Sequence, residues 1–156
     1  MPIQIPQEKW GGTVREITLG ATKAEGGTRS RTVTVGGETT LPFLHFEGQI
    51  PHAPVVAVEV KSRRPADWSP LLLEAGGDVA GDPAAWAPAA EESGADLILL
   101  TLDLKDTADD ARKVLRSVLG ATGLPLLVFG PGQAEKDNEL VVAVAEEGKG
   151  ERLVSG

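Results

Sequence analysis

Asp96 to Gly130 reads DLILLTLDLKDTADDARKVLRSVLGATGLPLLVFG, two short apolar runs on either side of an amphipathic segment. The runs are Asp96–Thr101 (DLILLT) and Leu126–Phe129 (LLVF). Between them, Ala108, Ala111, Val114, Leu115, Val118 and Leu119 recur at helical spacing over 107–119, and Gly120 is the expected stop. Strands that are apolar throughout, rather than alternating, are buried on both faces, and an amphipathic helix joining two of them is the crossover of a parallel pair.

The same alternation extends in both directions. Upstream, VVAVEV (55–60) is a short β-branched run, followed by a loop holding Pro65 and Pro70. Asp82 before Pro83 has the order of a helix cap followed by a first-turn proline, which predicts a helix over 83–93 closed by Gly94. Downstream, Leu140, Val141, Val144 and Ala145 mark a helix over 138–146, ended by Gly148 and Gly150 before a last short strand at 152–154. Acidic Glu135 and Asp137, just before that helix, suit the positive end of its dipole. Four strands alternating with three helical regions define an α/β protein with right-handed crossovers.

Residues 1–54 read differently. Val14–Leu19 (VREITL) and Arg31–Val35 (RTVTV) alternate polar and apolar residues around a Gly-rich connection, the pattern of an N-terminal β-hairpin. Pro42, Pro51 and Pro54 then mark an irregular link. The expected organisation is therefore hairpin and link over 1–54, and about four βα units over 55–156. A complete (β/α)₈ barrel needs about 250 residues, so the barrel reading is a partial, half TIM-type barrel. Its uncovered edges call for a partner, a self-associated second copy or a further segment. The alternative is a self-sufficient flavodoxin-like open sheet.

Composition bounds the chemistry. With 15 Lys plus Arg against 23 Asp plus Glu, the net charge of −8 repels phosphate backbones and anionic lipid, so neither nucleic acid nor membrane is an expected partner. Cysteine is absent, so no disulfide, thiolate nucleophile or iron-sulfur cluster is held by this chain itself. MPIQIPQEKW lacks the apolar core of a signal peptide and no run is long enough to span a bilayer, so the expected location is cytoplasmic.

In α/β folds ligands bind beyond the carboxyl ends of the strands. That rule nominates Lys61, Ser62, Asp103, Gly130, Pro131, Gly132 and Ser155 as the ligand-facing rim, with no metal and no catalytic group among them. Gly130 and Gly132 of GPGQ would let a broad ligand approach the backbone, although Gly and Pro also serve ordinary βα loops. The Asp103–Asp106 run (DLKD) has magnesium-type donors but reads better as a solvated loop. GGTRS (26–30) has the donors of an anion site and equally the composition of a turn, which is the favoured reading; it is expected at the opposite, N-terminal end of the strands. His45 is expected half-buried and paired with a carboxylate such as Glu47, and neither it nor His52 has metal-ligand spacing. Trp68 and Trp86 are expected to pack helices onto the sheet. The motifs GxSxG, GxxxxGK[ST] and HExxH are absent.

The segment Leu19–Gly48, LGATKAEGGTRSRTVTVGGETTLPFLHFEG, resembles the small, delta-type subunit of the corrinoid iron-sulfur protein of the acetyl-CoA decarbonylase/synthase system. VVAVEV, DPAAWAPAAEESGADLILLTLD and GLPLLVFGPGQAEKDNELVVAVAEE extend the likeness over nearly the whole chain, and GATKAEGGTRS followed by LPFLHFEG is its most specific part. The resemblance implies part of a TIM barrel whose strand-end face, here Lys61, Asp103, Gly130, Gly132 and Ser155, helps enclose a corrinoid (cobamide) at the interface with a larger corrinoid iron-sulfur subunit. It implies a non-catalytic role in methyl transfer from a methyl-pterin to acetyl-CoA synthase, with a pterin methyltransferase and acetyl-CoA synthase as further partners. The competing expectation is an enzyme, a pterin-binding methyltransferase-like half-barrel with Asp103 accepting hydrogen bonds from the ring.

Overall fold

A computed structural model describes residues 3–156. The strands are β1 (Ile17–Leu19), β2 (Val33–Val35), β3 (Ala57–Lys61), β4 (Leu97–Thr101), β5 (Leu126–Phe129) and β6 (Val154–Ser155). The helices are α1 (Pro70–Gly76), α2 (Pro83–Glu92), α3 (Ala108–Ala121) and α4 (Ala134–Glu147). The chain forms two units: one is the segment up to Thr18 with Thr34–Pro54, the other is Leu19–Val33 with Val55–Gly156. No helix among the described residues is long and apolar enough to cross a membrane.

The larger unit carries a four-stranded sheet in the order β3-β4-β5-β6, every pair parallel. Neighbours in space are neighbours in sequence, without the reversal of order that creates the switch point of a doubly wound sheet. Register makes the two sides explicit. Val58, Ile98 and Leu126 share one row, and Val60, Leu100, Val128 and Ser155 the next. These strand residues merge into one apolar cluster with Ala87 and Ala90 of α2, Ala111, Leu115 and Val118 of α3, and Leu140 and Val144 of α4. All three crossover helices therefore return on one side. Each fully buried Leu, Ile or Val there contributes about 1.5–3 kcal/mol by removal from water.

The other side has no such cover toward the strand ends. Successive strand residues point to opposite faces, so Lys61, Thr101 and Phe129 form one row and Glu59, Leu99, Leu127 and Val154 another. Leu97, at the start of β4, is buried, but Leu99 and Leu127 are only partly so, and Phe129 and Val154 are 43% and 39% exposed.

Local chemistry explains the helix bounds. Asp82 accepts from the Ala84 amide at 3.0 Å, with Pro83 in the first turn as predicted. The region around Pro70 is not only loop. Ser69 accepts from the Leu72 amide and Pro70 opens the short helix α1, where a proline's missing donor costs nothing. Helix α4 starts four residues earlier than Asn138, so Glu135 and Asp137 lie inside its first turn. Trp68 and Trp86 meet edge to face at 5.3 Å, and Trp86 packs on the core.

Gly120 does not end α3, which runs through it to Ala121. The helix end is instead held by Arg29, from the connection between β1 and β2. Its guanidinium donates to the carbonyls of Leu119 (2.6 Å), Thr122 (2.7 Å) and Leu124 (3.1 Å), to the Glu151 carboxylate (2.9 Å) and to Thr28 Oγ1 (2.6 Å). All five N–H groups of the fork are thereby used, and the residue is 3% exposed. A cation on the last carbonyls also suits the helix dipole. The same connection follows the N-terminal ends of the strands: the Gly20 amide donates to Arg152 O, the Ser30 amide to Gly123 O, and Arg31 Nη2 to Ala95 O. GGTRS is thus a turn at Gly26 and Gly27, as favoured, that also delivers Arg29 as a buried anchor, whose guanidinium has no donor left for an anion.

In the smaller unit, the Val14 and Gly37 amides bond to the Glu38 and Val14 carbonyls, and Thr18 Oγ1 meets Thr34 Oγ1 at 3.0 Å. The two strands of the predicted hairpin, β1 and β2, pair antiparallel but span only three residues each. His45 is exposed, edge-on to Phe46, and not paired with Glu47, whose carboxylate accepts instead from the Glu8 amide. The imidazole with a carboxylate partner is His52, 2.8 Å from Glu16.

Both caps of α3 generate predictions. Arg29→Lys replaces a planar five-donor fork by a point charge and strands buried carbonyls, so the unfolding free energy should drop by about 2–4 kcal/mol. A lower urea midpoint at unchanged slope is the expected reading, and an unchanged midpoint contradicts the anchor. At the other end, hydrogen bonds from the Thr107 amide and hydroxyl hold the Asp110 carboxyl below its ordinary value. Because the folded value is the lower one, this cap stabilises above the unfolded value of about 4 and is lost as pH falls through the folded one. Thr107→Ala should move the Asp110 titration upward, incompletely because the residue-107 amide remains, as followed by carboxyl-carbon NMR.

Candidate functional site

The carboxyl ends of β3, β4 and β5 carry most of the nominated rim, and the loops that leave β3 and β4 are tied together by one buried carboxylate. Asp106 is 2% exposed, in the turn between β4 and α3. Its Oδ2 accepts from Ser62 Oγ (2.5 Å) and the Asp103 amide (2.8 Å), and its Oδ1 from Arg63 Nε (2.6 Å). The Ser62 amide in turn donates to Thr101 O at 2.9 Å. A buried carboxylate is tolerated only when so satisfied, and here the donors come from both loops. Arg63 also reaches Lys105 O at 3.2 Å and lies 3.5 Å from Asp110 Oδ2. The hydrogen bond to Asp106, and then its charge, raise the Arg63 guanidinium above its ordinary value, so the group is a fixed cation.

Lys61 and Asp103 come together. Both line a cavity of about 390 Å³ between the ends of β3 and β4, along with Arg64, Lys105, Thr101 and Asp67. Lys61 ends β3 on the uncovered side of the sheet, in register with Thr101. Asp103 Oδ1 accepts from the Lys105 amide at 2.9 Å, which closes the loop on itself. Thr101 Oγ1 donates to Glu59 Oε1 at 2.8 Å along the same side.

The other three nominees have different surroundings. Gly130 follows β5, its amide bonded to Gly156 O at 2.8 Å, and a Cβ at this position would collide with the Asp137 carboxylate. Asp137 also accepts from the Gly132 amide at 3.1 Å. The bare backbone at Gly130 is thus already required by the cap of α4. Gly132 has φ +84°, which favours glycine, and no atom within 4 Å of a hypothetical Cβ, so space is open in front of it. Ser155 pairs with Val128 within the sheet and falls in a row on the helix-covered side.

Asp106 and Arg63 are the members that sequence reasoning missed. In the DLKD loop Leu104 and Lys105 are exposed, as a solvated loop requires, but its last carboxylate is the most buried polar group of the rim. One signal was present, the Thr107-x-x-Asp110 capping box, which fixes the start of α3 and so places Asp106 against the strand ends. Among the described residues no three His, Cys, Asp or Glu side chains gather as a metal site.

No family model matches the chain. Curated proteins do, over almost all of it. It is 43% identical over 154 residues to the acetyl-CoA decarbonylase/synthase complex subunit delta of Archaeoglobus fulgidus, covering 95% of this chain and 34% of that protein. For the subunit of the same name from Methanopyrus kandleri the identity is 35% over 151 residues, covering 92% and 37%. For that of Methanocaldococcus jannaschii it is 32% over 156 residues, covering 96% and 38%. The chain spans about a third of the length of these relatives. Sequence identity at this level, along nearly the whole chain, makes this protein a homologue of part of the delta subunits of acetyl-CoA decarbonylase/synthase complexes.

Proposed function

We propose that this chain is about half of a TIM-type barrel that scaffolds and covers a corrinoid carried mainly by a larger partner subunit. The observation that carries the reading is the one-sided sheet: four parallel strands in sequential order, all crossover helices on one side, and an opposite side left bare toward the strand ends. In a closed barrel that bare side is the interior and the strand ends are the mouth, where ligands bind. The similarity to subunits of acetyl-CoA decarbonylase/synthase complexes supports a place in such a complex; within it, the proposed setting is methyl transfer from a methyl-pterin to acetyl-CoA synthase in the cytoplasm, with a pterin methyltransferase and acetyl-CoA synthase as further partners.

The residues present fit a covering role. Neighbouring strands lie about 4.8 Å apart, so the ends of four strands make a rim about 14 Å wide, broad enough for the face of a flat macrocycle. Phe129 offers an exposed ring there and Gly132 open space. Both histidines of the chain lie outside the sheet unit, so that unit has no imidazole to ligate cobalt. The corrinoid, when bound, supplies the methyl-carrying chemistry. The chain's part is orientation and exclusion of water: the Asp106 network fixes two of the loops at the mouth, and the apolar side chains of the bare face replace solvent.

Co-purification with the large corrinoid subunit, reading the cobalamin absorption spectrum with and without this chain, tests the proposal. Association with a changed spectrum is expected, and Phe129→Asp should weaken it at least about tenfold, a cost of roughly 1.4 kcal/mol, with a circular dichroism melt establishing that the variant is folded. No association by the unaltered chain contradicts the reading. Binding of a methyl-pterin without the partner would favour the enzyme alternative.

A further inference from the structure

The cavity between the ends of β3 and β4 has a charge opposite to that of the molecule. Lys61, Arg64 and Lys105 line it against Asp67 and Asp103, a surplus of one positive charge beside the paired Arg63, in a chain of net charge −8. Arg63 is committed, held by Asp106 and beside Asp110. Among the described residues Lys61, Arg64 and Lys105 enter no ion pair within 4.0 Å, as is also true of Lys9, Arg15, Lys23, Lys113 and Lys149, but only these three of the unpaired cations line this cavity. Of the two acids, Asp103 already spends one oxygen on the Lys105 amide.

We infer that this cavity is a subsite for a phosphoryl oxyanion, gripped by Lys61, Arg64 and Lys105. The three cations come from three places, the last residue of β3, the loop after it and the loop after β4, and all line the one cavity. A tetrahedral oxyanion presents oxygens in several directions to match them, while a carboxylate presents two in one plane. Asp106 contributes indirectly: it neutralises Arg63, which also lines the cavity, and ties together the two loops that carry Arg64 and Lys105. The inference draws on the cavity's own charge and stands or falls apart from the corrinoid-covering role, since it requires no partner.

The test is titration of the purified chain with inorganic phosphate, followed by calorimetry and by phosphorus NMR line width, with glycerol 3-phosphate, acetate and magnesium in parallel. Saturable phosphate binding that weakens as sodium chloride rises is expected, with acetate and magnesium at least tenfold weaker. Stronger binding of glycerol 3-phosphate would mark a phosphate ester as the natural group; equal binding would mark the phosphoryl group alone. The double variant Lys61→Gln with Arg64→Gln should lose at least tenfold in affinity, and Lys149→Gln, an exposed cation outside the cavity, should lose nothing. Circular dichroism melts establish that each variant is folded. Absence of saturable phosphate binding by the unaltered chain, equal loss in the Lys149 variant, or preference for magnesium would each overturn the assignment.

Discussion

A parallel strand reaches its neighbour only through a crossover, and in this protein each crossover from β3 to β6 returns on the same side of the sheet. Everything else in the larger unit follows from that constraint. Right-handed crossovers that never reverse the strand order stack α2, α3 and α4 side by side on one layer. Val60, Leu100 and Val128 fill that layer with no exposure. The same arithmetic leaves the alternate residues, Leu99, Leu127, Phe129 and Val154, without a covering element where the strands end. A doubly wound sheet would spend its helices on both sides and show no such asymmetry.

The two ends of the sheet are treated differently. At the N-terminal end, the connection from β1 to β2 lies across the strand starts, and Arg29 satisfies backbone carbonyls that the end of α3 would otherwise leave unpaired. At the C-terminal end, polar groups are also paired, but around Asp106 and inward, so that the loops are rigid while Lys61, Arg64 and Lys105 remain without ion-pair partners among the described residues. One end is closed by protein, and the other presents charge and apolar surface. This division suits a barrel-type unit, in which stability and binding occupy opposite ends.

The elements legible in the sequence were those set by local chemistry. The apolar runs of β4 and β5, the Asp82-Pro83 start of α2 and the stripe of α3 depend on residues close together in the chain, and they lie where periodicity puts them. Lys61 and Asp103 were placed at the strand ends by the same logic, since a strand's end marks its loop. What was not legible depends on distant partners. Nothing near Arg29 announces that its guanidinium will be buried against residues ninety positions later. Gly120 looked like a stop because the cap that ends α3 comes from elsewhere, and Gly130 looked like ligand space because Asp137 cannot be placed over it without the fold. Pro70 read as a breaker although Ser69 beside it is a cap, a local signal that the proline masked.

The absence of cysteine from the chain makes the sidedness of the sheet directly measurable. Phe129→Cys and Val128→Cys place a single thiol at adjacent positions of β5 that differ only in the side they face. With a thiol-reactive probe, the account predicts that the residue-129 thiol reacts close to the rate of a free cysteine and the residue-128 thiol at least about a hundredfold more slowly, limited by opening of the core. Equal protection of both thiols would show that the second side is covered as well, and would contradict the account.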